Sequence, residues 1–189
     1  MKARGNDRRT DARDERLPRE LGPNFIVVPP TGTPSGRSLS GPMEATMTVK
    51  AILATKGREV MIIEPTAVLE TAIATLAEHR IGALIVLGPE GRIMGILSER
   101  DIVRALAERG AAALREPLSQ VMTRKVSICN ESETVCSIME QMTTGKFRHL
   151  PVVEQDRLIG IVSIGDVVKH RLMEMERESE ALRDYIQTA

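Results

Sequence analysis

Two short strings in this chain place a hydroxyl and a carboxylate three residues apart: Ser98-Glu99-Arg100-Asp101 and Ser163-Ile164-Gly165-Asp166. Each follows an apolar run that reads as a strand and opens a run that reads as a helix. A carboxylate at such a turn accepts two hydrogen bonds from a cis-diol. The serine hydroxyl and the first helical amides face the same mouth and can donate to phosphate. The same spacing also spells a helix capping box, with serine as the cap and aspartate returning the bond. Both readings stand at this level. Gly95 and Gly160, three residues before each serine, keep the strand slim where a ligand would pass.

The two copies differ in their cations. Arg148 and His149 stand in the second copy where the first has Gly82 and Ala83, and Arg100 in the first stands where the second has Gly165. A guanidinium grips phosphate in a bidentate way, and a histidine adds a charge that depends on pH. The competing readings are a solvated strand-edge charge for Arg148 and a core or surface histidine for His149. The two sites are therefore expected to be unequal.

Other chemistry finds no residues to carry it. His79 and His170 have no acid or thiol at ligand spacing and read as surface residues, so no metal set is expected. There is no phosphate loop, nucleophile elbow or zinc-protease motif, and Asp101 and Asp166 lie in separate copies, so no catalytic pair is expected. Cys129 and Cys136 are read as two reduced core thiols.

The elements that must position these residues are duplicated. Val60–Val86 overlays Val126–Val152 at a spacing of 66, and Arg92–Val103 overlays Arg157–Val168 at a spacing of 65. Ten positions are identical, including Leu84/Leu150, Gly95/Gly160, Ser98/Ser163 and Asp101/Asp166, so the repeat is the frame for every other inference. Each copy reads as strand, helix, strand, turn, strand, helix. In the first these are Val60–Ile63, about Val68–His79, Ala83–Leu87, Arg92–Leu97, and a helix that begins just after Ser98 and runs to about Glu108, where Gly110 closes it. In the second they are Val126–Cys129, about Thr134–Thr144, His149–Val153, Arg157–Val162 and a helix from about Gly165. A short helix precedes each copy, at Val49–Ala54 and about Pro117–Met122. A lone copy would leave one sheet face bare, so two copies are expected face to face about a pseudo-twofold axis, in an α+β, sandwich-like arrangement.

The ends read differently. Residues 1–46 mix charged residues with Pro and Gly and are expected to be a disordered extension, with Met43 or Met47 as an alternative native start. The divisions are 1–46 for this extension, 47–112 and 113–174 for the repeats, and 175–189 for a charged helical tail. In the tail, Leu172, Met175, Leu182 and Ile186 have roughly heptad spacing broken by Ser179, which suits a capping helix or a contact with a second subunit.

Net charge is zero, with 26 basic and 26 acidic residues, so no overall field favours nucleic acid or an anionic membrane. Aromatics are 2% of the chain, too few for a single-strand stacking platform. The apolar run Phe25–Val28 is far too short for a secretory or membrane segment. A cytoplasmic location, with no nucleic-acid or membrane partner, is expected.

The strings "GILSERDIV" and "HLPVVEQDRLIGIVSIGDVV" resemble the tandem cystathionine-β-synthase (CBS) domain family, over about Thr48 to Met173. The resemblance implies a pair of βαββα repeats, often dimerised into a flat disc. It implies an adenosine ligand between the repeats, such as AMP, ADP, ATP, NAD or S-adenosylmethionine, rather than a catalytic cofactor. In this light Ser98, Arg100, Asp101, Arg148, His149, Ser163 and Asp166 are the expected ligand-binding residues, with the aspartates on ribose. It further implies a homodimer and a regulated protein of unknown identity. The alternative is a ligand-free structural or dimerisation module.

Overall fold

The run Ala83-Leu84-Ile85-Val86-Leu87 has no polar residue, and a strand of that kind must be covered on both faces. A computed structural model of the chain, describing residues 26–27 and 47–188, shows how the cover is provided. Ala83–Leu87 forms strand β3 of a four-stranded sheet with the order β1 (Ile26–Val27), β2 (Met61–Ile63), β3, β4 (Ile93–Ser98). β1 is antiparallel to β2, β2 parallel to β3, and β3 antiparallel to β4. Leu84 and Val86 point to one side, where helix α2 (Leu69–His79) packs through Leu69, Ala72 and Leu76. Ile85 points to the other, into a cluster with Val60, Ile62 and Leu158.

The second repeat forms a hairpin of β5 (His149–Glu154) and β6 (Arg157–Ser163). The expected strand at Val126–Cys129 is reduced to one parallel bridge, Cys129 to Val152, because the preceding residues pair with nothing on that side. Leu158 and Ile161 of β6 meet Ile62, Ile85 and Ile96 of the first sheet, so the two sheets share an apolar seam. This is the face-to-face α+β pair that the repeat predicts.

The remaining helices are α1 (Val49–Lys56), α3 (Glu99–Arg109), α4 (Leu118–Val121), α5 (Val135–Gly145) and α6 (Ile164–Thr188). Arg80 and Lys146 close α2 and α5 in the left-handed region, at φ 53° and 56°, so the repeat extends to the helix ends.

The leading helices change places. α1 buries Val49, Ile52 and Leu53 in the core of the second repeat, with Ile138 and Leu150. α4 buries Leu118, and Met122 beyond it, in the core of the first, with Leu69 and Leu97. Matching backbone bonds hold both: the Val49 amide donates to the Glu133 carbonyl at 2.9 Å, and the Leu118 amide to Ala67 at 2.8 Å. Gly95 and Gly160 serve this exchange. A Cβ on Gly95 would lie 2.5 Å from Met122 Sδ and 3.0 Å from the Thr123 carbonyl, and one on Gly160 would lie 2.8 Å from Leu53 Cδ2. The bare strand expected to admit a ligand admits the exchanged segment instead.

Three further expectations change. His170 is buried, 4% exposed, with Nδ1 unpartnered; it replaces Ala105 of the first repeat on the core side of its helix. Cys136 is exposed, whereas Cys129 is buried, so only one of the two free thiols belongs to the core. Of residues 1–46, Ile26–Val27 form a strand paired with β2; the rest of the expected extension, including Met43, lies outside the described residues. His79 is exposed, as read.

Candidate functional site

Ser98 is extended, at φ −119° and ψ 164°, and α3 starts directly after it. The box closes on Asp101, whose Oδ2 accepts from the Ser98 amide at 2.9 Å and from Ser98 Oγ at 2.6 Å. The other oxygen is taken as well. Thr123 Oγ1 donates to Oδ1 at 2.9 Å and an Arg104 guanidinium nitrogen does so at 3.1 Å. A carboxylate has about four acceptor positions, and here each has a protein donor. Asp101 is 5% exposed.

Asp166 repeats the box but not its surroundings. The Ser163 amide and hydroxyl each donate to Oδ2 at 2.8 Å. Lys56, at the end of the exchanged helix α1, adds its ammonium to the same oxygen at 2.8 Å. Oδ1 has no protein donor among the described residues, and the side chain is 25% exposed. Burial pulls the Asp166 carboxyl up, but the Lys56 and Ser163 hydrogen bonds outweigh it and hold the group below its ordinary value.

A cavity of about 450 Å³ opens beside Asp101. Its wall joins the start of α3 to the end of α5 and the segment after α4, so both repeats build it. Five of the seven expected residues line it: Ser98, Arg100, Asp101, Arg148 and His149. Ser163 and Asp166 belong to the other half and do not. Arg100 spans the repeats, donating from Nη1 to the Lys146 carbonyl at 2.6 Å. Arg148 reaches back toward Glu99 at 3.7 Å, with both side chains more than half exposed.

His149 is common to the two halves. It lines the Asp101 cavity, and its ring lies against Gly82, where an added Cβ would be 3.0 Å from Cε1. Burial lowers its pKa first, and the Arg148 and Lys56 charges lower it further, against the opposing pull of Glu99 and Asp166. Burial, with the Glu133 charge, pushes the Cys129 thiol up to about 12, which leaves it unreactive.

Sequence reasoning missed Arg104, Thr123 and Lys125, all of which line the cavity. Arg104 had a signal, since position i+3 from Asp101 shares its helix face. Thr123 and Lys125 had none, because they reach the site only through the exchange of α4. Among the described residues no cluster of three or more metal-ligating side chains is present, and no helix is long and apolar enough to cross a membrane.

The profile of the CBS domain matches residues 49–108 and 118–172. The mitochondrial CBS domain-containing protein CBSX3 of Arabidopsis thaliana is 33% identical over 121 residues, which cover 61% of this chain and 58% of that protein. An uncharacterized 17.7 kDa protein of Acidianus ambivalens is 34% identical over 59% of this chain and 66% of its own. The chain thus spans less than two thirds of these curated relatives. Among solved structures, the CBS-domain containing protein ATU1752 from Agrobacterium tumefaciens is 46% identical with a TM-score of 0.65, covering 67% of this chain and 94% of that one. The CBS domain pair of protein MJ0100, solved with 5′-methylthioadenosine and S-adenosyl-L-methionine, is 26% identical with a TM-score of 0.60, covering 69% and 98%.

Proposed function

The chain belongs to the CBS-domain family, and on that premise we propose that it is a regulatory module, not an enzyme, which binds an adenosine nucleotide between its repeats and passes the occupancy on to a partner protein. The observation that carries this is the Asp101 cavity, where Ser98, Arg100, Arg104, Lys125 and Arg148 from two repeats converge on one space. Its volume is in the range of small-ligand sites. The base lies against Ile96, Val126 and Phe147, and the phosphates lie among the cations. Ribose hydroxyls replace Thr123 and Arg104 on Asp101 Oδ1, and the released guanidinium turns to phosphate. Asp166, with Oδ1 open, offers a second and unequal sugar position. The adenosine ligands of the MJ0100 pair support the choice of base. AMP, ADP, ATP and NAD all fit this chemistry.

A second copy of the chain belongs to the same reading. Val103 and Val168, equivalent positions on α3 and α6, are 67% and 45% exposed, and Leu172 continues the surface on α6. Paired apolar patches on a pseudo-twofold unit suit an isologous contact. A cytoplasmic location, reducing for Cys129 and Cys136, completes the proposal.

Calorimetry with AMP, ATP, NAD and S-adenosylmethionine tests it, alongside native mass spectrometry for subunit count and retained ligand. A ligand at 100 times its Kd should stabilise the fold by about 2.7 kcal/mol. If none of the four binds, the module is ligand-free and the alternative of a purely structural role holds.

A further inference from the structure

The two halves differ along the strand edge beside each cleft. In the Asp101 half, Val126 and Ser127 line the cavity, and the backbone groups of Val126, Ser127 and Ile128 make no hydrogen bond among the described residues. By the repeat spacing of 66, their counterparts are Val60, Met61 and Ile62. There the inner edge pairs with β3, Ile62 opposite Ile85, as Cys129 pairs with Val152 in the second repeat. The outer edge, unpaired in the second repeat, is taken in the first by β1, with Ile26 opposite Ile62 and Val27 opposite Met61. Val27 thus sits beside the residue whose counterpart, Ser127, lines an open cavity.

We infer that β1 is an internal lid over the cleft that holds Asp166. An added strand lies about 4.8 Å from its neighbour and uses the backbone groups along that edge. A ligand that reads those groups needs the same edge, so strand and ligand exclude each other. A hold of two register pairs is slight, and segments of that kind open locally at small free energy. The lid is therefore releasable, and only one of the two clefts carries it. Ligand at the Asp101 cleft binds without displacing anything of this kind, whereas ligand at the Asp166 cleft must first release β1. The inference rests on the reading of both clefts as nucleotide sites.

Calorimetric titration of the full chain with ATP, beside the double variant Ile26→Pro, Val27→Pro, tests it. Proline at both positions removes the one β1 amide that faces β2, whichever of the two residues carries it, and leaves Met61–Ile63 their pairing with β3. The expected result is a second site that binds several-fold tighter in the variant than in the wild type and is removed by Asp166→Ala. Equal affinity at that site in both proteins overturns the lid. One or two sites with the same affinities in both proteins leave the nucleotide reading standing, and no binding in either protein removes both. Hydrogen exchange on the wild type gives a check that needs no variant: filling the second site with excess ATP should expose the one amide of Ile26–Val27 that bonds to β2. Unchanged protection while that site fills also overturns the lid.

Discussion

Asp101 and Asp166 share a motif, a backbone turn and a capping serine, yet their free valences differ. Asp101 is closed by four donors and lies at 5% exposure. Asp166 keeps one oxygen without a donor and is 25% exposed. The difference does not come from either motif. It comes from the exchanged segments, which bring Thr123 to one acid and Lys56 to the other, and from Arg104 on α3 itself, whose counterpart on α6 is Lys169. A duplicated motif thus fixes where an acid stands, and the donors around it decide whether a ligand meets an open oxygen or must first displace protein donors.

The comparison breaks most easily on stability. Asp101→Ala should destabilise the fold by about 3 kcal/mol, since it removes a cap and the charge-assisted bonds of Thr123 and Arg104. Asp166→Ala should lose less, about 1.5 kcal/mol, the value of a cap and of the partly exposed Lys56 bond. Equal losses in urea denaturation would erase the distinction between the two acids. Next, Gly95→Ala and Gly160→Ala should each destabilise by about 2 kcal/mol, because a methyl at either position overpacks the exchanged segment. Differential scanning calorimetry checks this, and a neutral result at one glycine would show that its half accommodates the contact.

Binding variants sharpen the comparison further. Arg148→Ala should weaken ATP binding about tenfold, or about 1.4 kcal/mol, at the Asp101 cleft. A loss confined to the Asp166 half would reassign the guanidinium. The smallest effect belongs to His149, which burial holds below its ordinary value. The folded ring resists a proton that the unfolded chain accepts. Its contribution to stability is therefore full above about pH 6.5 and is lost as pH falls from there. A bound phosphate favours the charged ring, so ATP affinity should rise a few-fold from about pH 7.5 to about pH 6. His149→Gln should flatten both profiles, and unaltered profiles would separate His149 from the cleft.

Local pattern carried much of the fold. Ala83–Leu87 forms a strand over the run expected of it, and α2, α3 and α5 begin within a residue of their expected starts. Their signals are short-range: apolar spacing, a serine or threonine before the helix, and Gly110 after α3. The exchange of α1 and α4 was not legible, because Val49, Ile52 and Leu53 announce a buried face without saying which core receives it. The reading of Gly95 and Gly160 failed for the same reason, and so did the omission of Thr123 and Lys125. His170 was misplaced because its type suggests a surface residue, whereas its register, that of Ala105, points inward. Ser98, Arg100 and Asp101 were found together because the repeat already located the helix start that holds them, whereas Arg148 and His149, read as the cations of the second copy, join Asp101 because the cavity crosses the repeats.

The swapped leading helices bear on how the chain is made and broken. Scission between Ala112 and Ala113 would not release two self-sufficient lobes, since each fragment would retain a helix that belongs in the other's interior. The pieces would be complementary halves, each insoluble in purpose without its mate and competent only on reassociation. On the ribosome, the emerging first half would likewise have to wait for Leu118 and Met122 before its interior could close.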